Sequence, residues 1–410
     1  MEKTWRRGRR VAIVGGGPGG ISAAIAFNAA GYDVKVFERS AKPRPLGGAV
    51  MISTPVMEIL RSYGIDIVHN FASQTVTNFA NHKGRPRVSL PFVKELELAS
   101  GIPGWHYGIL RSTACDKMME VLNAKAPDTI VGNHALESYE ETESGVTLHF
   151  TNVESVEADL LVGADGIRSA VSKQAFGEPD LFHVGLRVWL AWCEDVPGVD
   201  RDNGWIHHSR NVQASYFPMK HEGKPGFEWW IVERSGPNAP QPTDVEAHMR
   251  NLLREFPPVM RQFADRTDFS MNIFPWEIYN RSSLQEWCKG RVACVGDAVH
   301  PVSPYAAYGM GMAIEDGYVL ARSFHGKDLS DPQVRQAAYA EYQAERVDYC
   351  NHNVEFARKL GYAFHRLPRP LSTLRDFAFD HTGILQKFVE KDYRATVSRI
   401  LRALPELHVG

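Results

Sequence analysis

Apolar and polar positions along this chain switch between a strand period and a helix period, and the first switch comes near its start. Val11 to Val14 is a continuous apolar run of strand length, and Gly15 to Gly20 forms a turn. Ile21 to Ala30 then carries small apolar residues at helical spacing, before "YDVKVFE" supplies a second strand. The pattern predicts a β-α-β opening. A similar strand, turn and helix recur at "ADLLVGADGIRSAVSK", with Asp165-Gly166 at the turn, and again at "VGDAVHPVSPYAAYGMGMAIED". Between about Leu181 and Trp276 come the β segments "GLRVWLAWCEDV", "VQASYFPM", "FEWWIVERS" and "TDFSMNIFPW", joined by turns containing Gly, Pro, Asn and Asp. Beyond "SFHGKDLSD" helical periodicity dominates, in one long stretch from Pro332 and again after "PRP". The pattern predicts α/β segments over 1–180 and 281–330, a β-rich unit over 181–280 and a helical region over 331–410.

The first turn carries chemistry. Gly15, Gly17 and Gly20 satisfy G-x-G-x-x-G between a strand and a helix, the context that gives the pattern its weight. The first glycine permits a tight turn, the second lets a pyrophosphate approach the backbone, and the third lets helix and strand pack closely. Phosphate charge then sits against free N–H groups of the helix. Glu38, ending the second strand, stands where a carboxylate accepts hydrogen bonds from an adenosine ribose, and Arg39 follows near the adenine edge. This unit alone does not separate FAD from NAD.

Composition narrows the function classes. The 410 residues are 44% hydrophobic and 23% charged, ordinary for a folded chain, and Lys+Arg 46 against Asp+Glu 48 leaves no field to attract nucleic acid or an anionic membrane. Small-molecule chemistry is the better expectation. Cys115, Cys193, Cys288, Cys294 and Cys350 form no CxxC and have no metal-spaced histidines near them, so neither a disulfide framework nor a metal is expected, and a reducing cytoplasm fits. The basic start followed by "VAIVGGGPGGISAAIAF" imitates a secretory signal, but Gly and Pro interrupt its apolar core. No apolar run approaches the ~20 residues of a membrane span.

With the three motifs in this order, the chain resembles the class A, para-hydroxybenzoate hydroxylase-like, FAD-dependent aromatic monooxygenases. The resemblance implies that 1–180 and 281–330 are one discontinuous domain, a Rossmann-like FAD-binding domain of the glutathione reductase type, with an inserted β-sheet substrate domain and a C-terminal helical region. It implies that Asp165 serves FAD and the pyridine nucleotide, and that Asp297 accepts from ribityl hydroxyls. It also implies that Val50 lies near the flavin ring, that Arg111 reaches the FAD chain, and that Met310 and Gly311 offer amides to the ring. Ala306, Ala307, Gly309 and Gly311 keep side chains off the helix end, where a helix N-terminus favours negative charge on reduced flavin by up to about 2 kcal/mol. The glycines could instead serve close helix packing. Two departures stand out: Ser172 where the family commonly has Arg, and Tyr308 where it has Gln or Lys.

The expected activity is hydroxylation of an electron-rich aromatic or N-heteroaromatic ring through a flavin C(4a)-hydroperoxide, with NADH or NADPH as transient co-substrate and O2 as oxidant. By resemblance Pro304's carbonyl accepts from the substrate hydroxyl. Tyr216 is the favoured pocket side chain, with Ala214 and Pro218 on its face of the strand; a core tyrosine is the other reading. His207-His208 suggests surface or packing more than substrate contact, His300 a structural role in the loop, and Trp105, His106 and Tyr107 a β-strand core. A flavin-dependent reductase or halogenase, or a non-catalytic binder of the same fold, are the competing classes. A homodimer is compatible with the helical tail.

Overall fold

The computed structural model describes residues 5–44, 47–67, 72–90, 94–104, 106–151, 153–178, 180–303 and 308–403. Arg10–Val14 lies inside a six-stranded sheet, flanked by Leu160–Gly163 and Asp33–Phe37, with Val292–Cys294 and Ile130–Val131 outside them, all parallel; Cys288–Lys289 closes one edge antiparallel. Every residue of Arg10–Val14 is buried. A strand covered on both faces has no polar face to present, which is why Val11–Val14 is an unbroken apolar run.

Helix Pro18–Ala29 follows with proline in its first turn, where a missing N–H costs nothing. It packs on helix Gly309–Ser323, hereafter the cleft helix. The approach is close because side chains are absent: a Cβ on Gly317 would lie 2.6 Å from the backbone of Ala23 and Gly19. Leu136–Glu141, Val146–Phe150 and Val156–Ala158 form a separate three-stranded antiparallel sheet.

A nine-stranded sheet lies over the cleft helix. Its order is Ile273–Arg281, Leu181–Glu194, Lys224–Arg234, Gln213–His221, Asn203–His208, Ser73–Asn81, His106–Leu110 and Ala49–Ser53, with Pro86–Ser89 paired to Ser73–Asn81. Four of these strands precede residue 181, so the division at 180/181 expected from sequence does not mark where this sheet begins. The pairing responsible is parallel, Asn203–His208 against Val76–Asn81. Parallel neighbours are joined by long crossovers and leave no local turn signal.

The tail is helical as expected. Helix Pro332–His365, hereafter the long helix, starts at Asp331, whose side chain accepts from the Gln333 N–H at 2.8 Å. Its Tyr342 hydroxyl donates to the carbonyl of Cys294 at 2.9 Å, tying the tail to the parallel sheet. Leu371–His381 and Ile384–Ala403 follow, the former fixed to Arg87 through Asp376 and Asp380. All five cysteines are buried and unpaired. Among the described residues no helix is long and apolar enough to cross a membrane.

Candidate cofactor and substrate cleft

Between the two large sheets runs a cleft of about 780 Å³. The glycine turn forms one end of its floor, and the three glycines divide the labour there. Gly15 has φ +107°, and a Cβ on it would sit 2.3 Å from the carbonyl oxygen of Ala164; a Cβ on Gly20 would sit 2.0 Å from that of Gly15. Both are demanded by packing. Gly17 has open space where its Cβ would be and lines the cleft, so its smallness serves whatever approaches the backbone. Glu38 is brought to this turn: its carboxylate accepts from Gly16 N–H at 2.9 Å and from Ser40 N–H at 3.0 Å. Arg39 is exposed and stands outside the residues that line the cleft.

Val50 and Arg111 line the cleft, Arg111 with its guanidinium 5.7 Å from the centroid of the Trp276 ring. Asp165 does not face it. Its carboxylate accepts from the Ser169 hydroxyl and from Ala170 N–H at 2.7 Å, so it caps helix Ala170–Phe176, and burial raises its pKa against those hydrogen bonds. The cleft is lined here by its neighbours Gly166, Ile167 and Arg168. Asp165 thus shapes the turn that presents them.

Ser172 is paired with an arginine from another strand. The buried Arg281 places both terminal nitrogens 3.3 Å from the Ser172 hydroxyl and donates to the carbonyl of Ala298 at 2.9 Å. That carbonyl adjoins Asp297. The sequence lacks arginine at 172, and the fold delivers one there from 109 residues away.

Asp297 is exposed to the cleft, and the protein packed around it raises its pKa, with His300 and Arg111 opposing. Beneath it lies a buried ionic cluster. His300 Nε2 is 2.5 Å from Asp316 Oδ2, which also accepts from Gly296 N–H at 2.9 Å; Arg346 of the long helix reaches Asp316 at 2.8 Å and Glu315 at 2.6 Å. Burial works against charge on His300, yet Cys350 and Asp316 beside it raise its pKa well above the ordinary value. Burial also pushes Asp316 up, and His300 and Arg346 outweigh it and hold the carboxyl low. Burial raises the Cys350 pKa, with Arg346 and His300 opposing. His300, Asp316 and Cys350 are near enough to be considered as metal ligands, but the Arg346 guanidinium already occupies the second Asp316 oxygen. His300 is structural here, as expected.

The cleft helix points its N-terminus at this floor, and Tyr308, Gly309 and Met310 line the cleft. Gly311 does not. Its missing Cβ makes room for the Tyr308 ring, which would otherwise lie 2.5 Å away, and Gly309 makes room for Val302. Of the two readings of these glycines, packing accounts for Gly311. Tyr308, at the position where the resemblance expected Gln or Lys, bonds through its hydroxyl to Ser53 at 2.5 Å and to Glu315, so it links the floor to the ionic cluster. Pro304, Ala306, Ala307 and Trp105 lie outside the described residues.

The nine-stranded sheet forms the roof, and strand parity decides which side chains reach it. On Gln213–His221, Tyr216 is on the far face, packed with Phe227 and Phe263; its neighbour Phe217 lines the cleft. The expectation that Tyr216 is a pocket residue is therefore corrected to Phe217, because the far face carries helix Pro258–Asp265 and buries that parity. Lys224–Arg234 behaves alike: Phe227, Trp229 and Ile231 enter the far core, while Glu228 and Trp230 line the cleft. His207 and His208 lie outside the lining, and burial holds the pKa of His207 down to about 4 and that of His208 well below its ordinary value. Tyr107 is buried in the main core, and burial lowers His106 to about 3.

Glu228 went unnoticed in the sequence, where "GFEWWIV" reads as an apolar strand with a tryptophan pair. The available signal was its parity with Trp230. It is 1% exposed; Oε2 accepts from Ala49 N–H at 2.9 Å, and Oε1 has no hydrogen-bond partner among the described residues. Burial pushes its pKa well above the carboxylate range, against the Ala49 N–H and Arg111.

Residues 9–357 match the protein family described as "FAD binding domain". Aurachin C monooxygenase/isomerase of Stigmatella aurantiaca is 28% identical over 360 residues, covering 87% of this chain and 90% of that one. The 6-hydroxynicotinate 3-monooxygenase of Pseudomonas fluorescens is 27% identical over 360 residues, covering 82% and 88%. Among solved structures, Klebsiella pneumoniae HpxO complexed with FAD and uric acid superposes with a TM-score of 0.79 at 22% identity over 100% of both chains, a likeness of fold.

Proposed function

The chain belongs to the FAD-binding domain family and is an FAD-dependent monooxygenase, and on that premise we propose that it hydroxylates an electron-rich aromatic or N-heteroaromatic ring at the expense of NAD(P)H and O2. The observation that carries the reading is one continuous cleft that runs from the open backbone at Gly17, past the Asp297 carboxylate, to the N-terminus of the cleft helix, under an aromatic roof. Those features fit FAD. Gly17 leaves room for pyrophosphate, Glu38 and Asp297 accept from hydroxyls, and Gly309 and Met310 stand at the positive end of a helix dipole. When bound, FAD supplies the redox chemistry that activates dioxygen.

The chain's own residues do the rest. Val188, Leu190, Phe217 and Trp230 present an apolar ceiling that excludes water from the reacting ring. Arg281 and the ionic cluster around Asp316 hold the backbone on either side of Asp297, so its carboxylate keeps one direction. Pro304 is proposed to accept from the substrate hydroxyl, which keeps the ring electron-rich. We also assign the parallel sheet, with its antiparallel three-stranded excursion, to the glutathione reductase type of dinucleotide fold, the nine-stranded sheet being the substrate-binding insertion.

Labelled dioxygen tests the reading. Purified yellow protein with NADH or NADPH and a hydroxyaromatic or hydroxypyridine panel is expected to place one labelled oxygen atom in a product. NAD(P)H consumption with no label in any aromatic product would move the protein to the reductases.

A further inference from the structure

We propose that Glu228 selects the substrate, exchanging hydrogen bonds with a ring edge that presents an N–H or phenolic O–H on an uncharged aromatic. The inference rests on the monooxygenase reading for the aromatic nature of the ligand, and goes beyond it in naming the group that the ring must present.

The position is determined by the sheet. Glu228 pairs directly across the ladder with Phe217 and shares a strand face with Trp230, and all three line the cleft. Around it on this face the packed side chains are apolar: Ala49, Met51, Val188, Phe217, Trp230 and Ile278. A flat ring sliding between such aromatic walls meets a carboxyl in the roof. A carboxyl side chain in that company is costly, since a buried polar atom without a partner forfeits its hydration. One of its oxygens is satisfied by Ala49 N–H, whereas Oε1 has no partner among the described residues.

The surrounding chain accommodates the carboxyl at a cost in freedom. A Cβ on Gly48 would lie 2.1 Å from Oε1, so a larger residue there would displace the carboxyl. Arg111 acts on Glu228 electrostatically from the same cleft, yet burial dominates and the carboxyl is held well above its ordinary range. Held neutral by burial, such a carboxyl offers a donor and an acceptor together, and so matches an uncharged ring edge that presents both. A lactam edge, with adjacent N–H and C=O, or a phenol supplies what Oε1 lacks.

The test uses the full-length, FAD-loaded protein and calorimetric titration with two probes: 2-quinolone and N-methyl-2-quinolone. Wild type is expected to bind 2-quinolone about tenfold or more tightly than the N-methyl compound. Glu228→Leu should erase the preference for the free N–H. Glu228→Gln, whose amide still donates and accepts, should keep that preference. Equal wild-type affinity for the N–H and N-methyl probes, an unchanged ratio in Glu228→Leu, or no binding by either probe overturns the proposal. The wild-type comparison stands even where a variant fails to fold. Calorimetry reads binding without turnover, so a preserved preference with no labelled oxygen in product sinks the monooxygenase reading and leaves this one standing.

Discussion

The floor and the roof of the cleft bind in opposite ways. The floor is built from backbone and missing side chains, Gly17 at the turn and Gly309 at the helix start, with the Asp297 carboxylate facing the cleft. The roof works through large side chains on alternate strand positions, Phe217, Glu228 and Trp230, held by a ladder whose other face is an independent core of Phe227, Trp229, Met260 and Phe263. A ligand common to a whole family is met by backbone geometry, which tolerates little change. A ligand particular to one protein is met by side chains that change without disturbing the ladder.

The contrast is broken most severely at the floor. Gly20→Val puts a branched side chain where even a Cβ lies 2.0 Å from a carbonyl oxygen, so the purified protein should be colourless or insoluble. Gly17→Val meets no protein atom at its Cβ and should fold with the melting temperature of flavin-stripped wild type while failing to take up flavin, read from the ratio of visible to ultraviolet absorbance. Loss of folding in both variants would make the turn a packing device only.

Next comes the support under the floor. Arg346→Met leaves Glu315 and Asp316 buried without their cation, and unfolding in urea should show a loss of about 3–5 kcal/mol. An effect near zero would mean that His300 alone balances the cluster. At the roof, Phe217→Leu should weaken aromatic ligands about tenfold, whereas Tyr216→Phe should leave their affinity unchanged. The reverse outcome would restore the tyrosine to the pocket and invert the strand parity.

A further test probes the roof sheet by pH. Burial holds His207 down to about 4 against an ordinary 6.5, so it is neutral in the fold throughout that window while the unfolded chain takes up a proton. Its contribution is therefore complete above pH 6.5, declines as pH falls and levels off below 4. Relative to His207→Gln, wild type should lose up to about 1.4 kcal/mol per pH unit within the window. Parallel stability curves for the two proteins would show that the imidazole titrates in the folded state.

The floor was legible because its determinants are local. Gly15, Gly17, Gly20 and Glu38 lie within one β-α-β unit, and a tight turn, a close approach and a strand-end acid each leave a residue type at a fixed spacing. Asp297 and the small residues before the cleft helix were equally visible. Arg281 at Ser172, Arg346 under Asp316 and the exchange of Phe217 for Tyr216 were not. Each depends on which face of a strand or helix another part of the chain covers.

What the sequence by itself determined was therefore the dinucleotide end of the protein, the order of its motifs and its helical tail, all encoded in short-range periodicity and glycine spacing. The tertiary structure alone decided that strands from residues 49–110 join those from 181–281 in one sheet, and that Glu228 faces a cleft instead of solvent. An alternating strand specifies two faces but does not say which one is inside; only the layer packed against it does.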